Sequence, residues 1–325
     1  MGEPLRIGLL GAARIAPGAV IIPARARDDV VVTAVAARDK AKAEAFAATH
    51  DIAGVADDYD ALIHRGDVDV VYVGLPVAGH AEWTIKALEA GKAVLCEKSF
   101  CMDAAEAKAM VAAGENAARP LIEAYHYRFH KVLRRAEAII RSGELGQLTS
   151  ARASFDVTIA YNPDEIRWRA DQGGGALGDL GCYPLHALRT LIGAEPVVLQ
   201  SRIVEQHGVD ASTWAKLGFD GFEAEINCSM IPERREASLT ITGERGQMDI
   251  LNYLAPQIGC RFTVIVDGVT REEPVDGPTT YAAQLEHLVE VMTGRTKALT
   301  GGEDAIRMMT AMDAIKAKAE REIMA

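Results

Sequence analysis

Two α/β domains are what this sequence predicts: a doubly wound parallel sheet first, then an α+β domain built on a mostly antiparallel sheet. Three observations carry that reading. Short apolar, β-branched runs alternate with helical stretches up to Tyr125, the first of them opens into a glycine turn at Gly11, and beyond Gly146 strand-like runs follow one another without helices. At 325 residues the chain is also too long for one typical domain. The change of pattern divides it into residues 1–125 and 126–325.

The composition is that of a soluble globular protein, 49% hydrophobic and 25% charged, with enough apolar material for sizeable cores. A formal net charge of −11 argues against a nucleic-acid surface or an anionic membrane, both of which favour basic patches. An anionic cofactor needs only local positive potential. The stretch Met1–Arg6 lacks the features of a signal peptide, and no apolar run approaches the roughly 18 residues of a membrane span. Cys96, Cys101, Cys182, Cys228 and Cys260 are odd in number and form no CxxC pair, so free thiols in a reducing cytoplasm and no metal site are expected.

In order, Leu5–Leu10 reads as a buried strand that runs into Gly11-Ala12-Ala13-Arg14-Ile15-Ala16. Strand, tight glycine turn and helix start are the context of a dinucleotide-binding Rossmann fingerprint, although Ala13 and Ala16 stand where GxGxxG has glycine. Val30–Ala36 is the second strand, and a helix follows it to about Thr49. NAD enzymes usually place a carboxylate at the end of that strand, on the adenosine ribose. Here Arg38 stands there, and a guanidinium suits a 2′-phosphate, so NADP is favoured. Asp39 either caps the helix or reaches the ribose and permits NAD.

Asp69–Leu75 is a third strand, closed by Pro76, and Val77-Ala78-Gly79-His80 leads into a helix ending at Ala90. His80 is either a cofactor neighbour or a capping and packing residue. Val94-Leu95-Cys96 then delivers Glu97 and Lys98 at its carboxyl end, where doubly wound sheets bind their ligands. A helix from Asp103 to Ala118 and the strand at Leu121–Tyr125 complete the first domain. Its candidate cofactor contacts are Gly11, Ala13, Arg14, Ile15, Arg38, Leu75, Pro76, His80, Glu97 and Lys98.

The second domain opens with His126-Tyr127-Arg128-Phe129-His130 and a helix carrying Val132, Leu133, Ala136, Ile139 and Ile140. Strands are expected at 150–159, 197–205, 213–219, 223–230, 237–242, 247–251 and 261–266, and closing helices at 281–293 and 303–321. The glycine-rich stretch Gly173–Gly181 opens a helix to about Leu191, in which Asp179, Tyr183 and His186 share one stripe. A carboxylate, a phenol and an imidazole on one face suit proton handling, or equally a capped helix start with two packed rings.

Gly11-x-Ala13, Val-Ala-Ala-Arg-Asp at 35–39, Glu97-Lys98 and Gly-Gly-Gly-Ala-Leu-x-Asp-x-Gly-Cys-Tyr at 173–183 together resemble the Gfo/Idh/MocA oxidoreductases, in the right order along essentially the whole chain. The resemblance is strongest to the branch of dimeric dihydrodiol and NADP-linked aldose dehydrogenases. It implies an N-terminal Rossmann domain, a C-terminal domain with a large open sheet, and a homo-oligomer assembled through that sheet. By motif it makes Lys98, Asp179 and Tyr183 the catalytic set, with Tyr183 as proton acceptor and Lys98 favouring its phenolate. Lys98, Tyr127, Arg169, Asp179, Tyr183 and His186 become the substrate-side candidates, for a small sugar or vicinal diol, with Arg167 and Trp168 beside them. An NAD-linked cyclitol or deoxy-sugar dehydrogenase and a non-catalytic sugar sensor are the alternatives. Ser99 departs from the family's proline after the lysine. A cis bond before serine costs about 2.5–4 kcal/mol, so a displaced Lys98 or a mobile loop is expected there.

Overall fold

The computed structural model describes residues 3–324, in two compact units. The first holds the chain up to Tyr125 together with Tyr281–Ile306. Its strands are β1 (Leu5–Leu10), β2 (Val30–Ala36), β3 (Gly54–Val55), β4 (Val70–Val73), β5 (Ala93–Cys96) and β6 (Leu121–Glu123). They form one parallel sheet in the order β3-β2-β1-β4-β5-β6, which winds outward in both directions from the β1–β4 pair. The strands are apolar along their length because crossovers cover both faces: Ile7, Leu9, Val70, Val71 and Val94 are all fully buried.

The crossovers are α1 (Ile22–Arg25), α2 (Lys40–Thr49), α3 (Tyr59–Ile63), α4 (His80–Glu89) and α5 (Ala104–Ala117). Three of these helices start on an aspartate whose carboxylate accepts from free backbone N–H groups. Asp39 caps α2, Asp58 caps α3 and Asp103 caps α5.

Residues 281–306 were assigned by sequence to the second domain, and here they group with the first. The reason is packing. Along α8 (Thr280–Met292), Leu285, Leu288 and Val289 join the cluster of Ile7, Leu9, Val20, Val70 and Tyr72.

The second unit holds His126–Thr280 and the chain from Arg307 onward. Its helices are α6 (Lys131–Arg141), α7 (Cys182–Ile192) and the later part of α9 (Gly302–Lys318). Nine strands make its sheet: β7 (Leu148–Asp156), β8 (Val197–Gln206), β9 (Val209–Phe219), β10 (Phe222–Ser229), β11 (Glu236–Gly243), β12 (Gly246–Leu251), β13 (Arg261–Val266), β14 (Val269–Glu272) and β15 (Ala319–Ile323). Their order is β14-β13-β12-β11-β7-β10-β9-β8-β15. All neighbours are antiparallel except β7 with β10 and β8 with β15.

Strict alternation along β9 buries Val209, Ala211, Thr213, Ala215, Leu217 and Phe219 on one face. On β7, Phe155 meets Tyr183 of α7 edge-on at 5.5 Å between centroids. The closing helix, expected to reach Arg321, ends at Lys318, and the next five residues form β15. No apolar alternation marks that strand. Backbone pairing to β8 and the ion pair of Arg321 with Glu205 hold it. Among the described residues no helix is long and apolar enough to cross a membrane.

Candidate active site

In the first unit, the carboxyl ends of β1, β2, β4 and β5 bring the sequence-derived cofactor residues to one edge of the sheet. Gly11 follows β1 at φ +95°, and a Cβ there would lie 2.9 Å from the carbonyl oxygen of Gly74, so the turn requires glycine. Ala13 packs close to Gly74, and Arg14 and Ile15 lie exposed. This backbone cradle suits a pyrophosphate, with alanine rather than glycine at its second position.

Past β2, Arg38 is exposed, and its guanidinium forms no ion pair or hydrogen bond among the described residues. The neighbouring Asp39 is occupied, its carboxylate accepting from Ala41 N at 3.0 Å and Lys42 N at 3.4 Å. Beside them Tyr59 is half-buried. Burial pushes its pKa up, against the opposing pull of the Arg38 charge, and it meets Trp83 edge-on at 5.0 Å. The site therefore offers a free cation and an aromatic wall, and no free carboxylate at Asp39. These features fit a dinucleotide with a phosphorylated ribose.

At the end of β5, Glu97 accepts from the Tyr72 phenol at 2.8 Å, which fixes the acid beside the partly exposed Lys98. The Lys98–Ser99 peptide bond is cis, although the cost of a cis bond before serine led to an expectation of a displaced Lys98 or a mobile loop. His80 sits behind this turn at 1% exposure, Nδ1 2.9 Å from the Ser99 carbonyl and Nε2 2.8 Å from the Leu75 carbonyl. Burial pushes its pKa down, and the carbonyl oxygens of Leu75 and Ser99, each an acceptor facing one ring nitrogen, oppose that shift. His80 thus braces the Leu75–Pro76 and Lys98–Ser99 turns from inside the fold; it presents no surface to a cofactor.

In the second unit, the glycine loop is set by a carboxylate. Asp210 accepts from Leu177 N at 2.6 Å and Thr213 Oγ1 at 3.1 Å, and burial pushes its pKa up. Gly175, at φ +124°, leaves no room for a side chain, because a Cβ would fall 1.9 Å from Asp210 Oδ1. The chain then makes a π-helical turn, Leu177–Gly181, that runs straight into α7. Pro184 lies just beyond the junction of the π turn with α7.

Asp179 projects from the π turn, partly exposed, with Arg167 NH1 3.9 Å away. Tyr183 is 7% exposed in the next turn. Its phenol lies 3.3 Å from Nε2 of His126, a residue that sequence reasoning did not single out. The other substrate-side candidates lie elsewhere. Tyr127 and His186 are 0% and 1% exposed and bond each other at 2.6 Å, a buried pair that supports Tyr183 from behind. Trp168 is buried, donating to the Ile159 carbonyl, and Arg169 is spent on a surface ion pair with Asp171 at 2.7 Å. Arg167, not Arg169, is the guanidinium beside Asp179.

Comparison with known proteins agrees with this layout. The family model described as oxidoreductase family, NAD-binding Rossmann fold matches residues 5–125, and the GFO/IDH/MocA C-terminal domain matches residues 133–249. The chain is 32% identical over 320 residues to a D-xylose 1-dehydrogenase (NADP(+)) of Haloferax volcanii, covering 97% of this chain and 98% of that protein. It is 36% identical over 262 residues to a dTDP-3,4-didehydro-2,6-dideoxy-alpha-D-glucose 3-reductase of Streptomyces violaceoruber, covering 79% of this chain and 75% of the other. Among solved structures, a 3-ketoreductase from Actinomadura kijaniata in complex with NADP and TDP-benzene superposes with a TM-score of 0.91 at 25% identity, over 99% of this chain and 100% of that one.

Proposed function

The chain belongs to the Gfo/Idh/MocA oxidoreductase family, and we propose that it is an NADP-linked dehydrogenase acting on a hydroxyl-bearing carbon of an aldose or related vicinal diol. The observation that carries the choice of cofactor is the unpaired Arg38 guanidinium beside an Asp39 already committed to capping α2. Bound NADP would supply the hydride acceptor. Gly11, Ala13, Arg14 and Ile15 would cradle its pyrophosphate, and Arg38 would meet its 2′-phosphate.

The chain's own groups handle the proton. Tyr183 accepts it from the substrate hydroxyl. A free phenol titrates near pH 10, so the phenolate needs a nearby positive charge, the role assigned to Lys98. Asp179 orients the hydroxyl. The open face of the nine-stranded sheet, which carries Arg152, Trp214, Lys216, Glu225 and Asn227, supports assembly into a homodimer. Five free cysteines, four of them buried, support a reducing, cytoplasmic setting.

A screen of aldoses and vicinal diols for reduction of NADP and NAD tests the proposal. Sugar-dependent reduction of NADP in preference to NAD is expected, and reduction of neither nucleotide would overturn it. The similarity to the Streptomyces reductase supports a second reading, reduction of a nucleotide-linked deoxy-keto-sugar. Oxidation of NADPH by such a keto-sugar, with free aldoses inert, would select that reading.

A further inference from the structure

We infer that His126 is the group to which Tyr183 passes its proton, with Thr280 holding the imidazole in the protonation form that receives it. The inference rests on the proposed dehydrogenase reading and extends its proton path beyond the tyrosine.

Three segments far apart in sequence meet here. Tyr183 comes from the first turn of α7, His126 opens the short 3-10 turn His126–Phe129, and Thr280 is the first residue of α8. The Tyr183 phenol oxygen is 3.3 Å from His126 Nε2, and His126 Nδ1 is 2.9 Å from Thr280 Oγ1. The tyrosine is 7%, the histidine 8% and the threonine 0% exposed. The longer of the two contacts is of the kind that tightens when a substrate binds.

With Nδ1–H donating to the Thr280 hydroxyl, the Nε2 lone pair faces the phenol. That bond to Thr280 is the same before and after Nε2 gains a proton, so the ring need not turn. Bound NADP would accept the hydride of the substrate C–H bond, and the alcohol oxygen would become carbonyl-like and strongly acidic as the hydride leaves. Its proton moves to the Tyr183 oxygen, the phenol proton moves to His126 Nε2, and the imidazolium returns it to solvent when product leaves. One hydride and one proton leave the alcohol, and both are accounted for. A neutral imidazole accepts a proton far more readily than a neutral phenol does, so the histidine takes up the proton that the tyrosine has received.

Among the described contacts, Tyr183 faces the ring, and Tyr127, whose own phenol is bonded to His186, meets it edge-on at 6.4 Å. His126 is therefore a positioning and relay residue acting through Tyr183.

The test is the pH profile of kcat for sugar oxidation in wild type, His126→Gln and His126→Ala, with NADPH affinity measured alongside. The wild-type profile should fall on its acid side along a single-proton limb. Both variants should lose about 100-fold in kcat with KM and NADPH affinity within a few-fold, and lose that limb. Added imidazole should restore part of the His126→Ala rate in proportion to its neutral fraction. An active wild type whose limb survives in both variants, with no imidazole rescue, would overturn the inference and leave the dehydrogenase reading intact. A wild type inert toward every sugar and diol would overturn both. Without any substrate, ¹⁵N NMR should find Nδ1 of His126 protonated and Nε2 bare, with the Nε2 resonance moving in Tyr183→Phe. A ring protonated at Nε2, or one blind to that change, also overturns the inference.

Discussion

Replacing Arg38 with alanine should separate NADP from NAD. The guanidinium is exposed and has no hydrogen-bond or ion-pair partner among the described residues, so the substitution breaks none. A charge-assisted hydrogen bond to phosphate contributes about 1.5–3 kcal/mol when shielded from water. At an exposed position, salt and solvent reduce that to about 1–2 kcal/mol, which corresponds to a roughly 5- to 30-fold change in Kd. NADH lacks the 2′-phosphate and should bind equally well to both proteins.

Fluorescence titration of wild type and Arg38→Ala with NADPH and NADH, at low and at moderate salt, measures this. The wild-type preference for NADPH should shrink as salt rises, and the variant should show almost none. Asp39→Asn is the control, since asparagine caps a helix about as well as aspartate. It should leave NADH binding unchanged, because the Asp39 carboxylate is directed at Ala41 and Lys42. Equal loss of both nucleotides in Arg38→Ala would refute the reasoning, as would weaker NADH binding in Asp39→Asn.

Two further outcomes concern stability. Glu273 is held by Arg135 and Arg271, which together with their hydrogen bonds lower its pKa from 4.5 to about 2. Because the folded pKa is depressed, the stabilisation is complete above the unfolded value of 4.5 and disappears as pH falls toward 2. Discounted for the half-exposed arginines, it amounts to about 1–2 kcal/mol. Urea denaturation of Glu273→Gln should show that deficit at pH 7 and only about a quarter of it near pH 2.5, and a deficit independent of pH would contradict it. Gly175→Ala combines a left-handed backbone with a collision against Asp210, and should cost about 2–4 kcal/mol as read by thermal or urea unfolding. A change under about 0.5 kcal/mol would mean the loop is not anchored as described.

Much of the fold was legible because its signals are local. The run Leu5–Leu10 closing on Gly11 needs only strand periodicity and a turn that tolerates positive φ, and the strand delivering Lys98 announces itself by being apolar on both faces. The helical run carrying Asp179 and Tyr183 was also expected, and it begins with a π turn, Leu177–Gly181, that leads into α7.

What stayed hidden depends on tertiary partners. An amphipathic helix such as α8 shows that it has a buried face but not which core receives it, so residues 281–306 were placed with the wrong half. β15 is charged along most of its length and exists through backbone pairing with β8. Tyr127 and His186 carry the chemistry of a substrate pocket and are instead bonded to each other, 59 residues apart. His126 meets Tyr183 across 57 residues, and the only sequence hint was the aromatic and histidine cluster at 126–130.

The central claim is that Tyr183 carries the proton while hydride passes to NADP. Single-turnover hydride transfer from an oxidised sugar or diol, in wild type and Tyr183→Phe with NADP saturating, tests it most directly. The account predicts a rate at least about 100-fold lower in the variant with NADPH affinity unchanged. A variant that transfers hydride within a few-fold of wild type would contradict it.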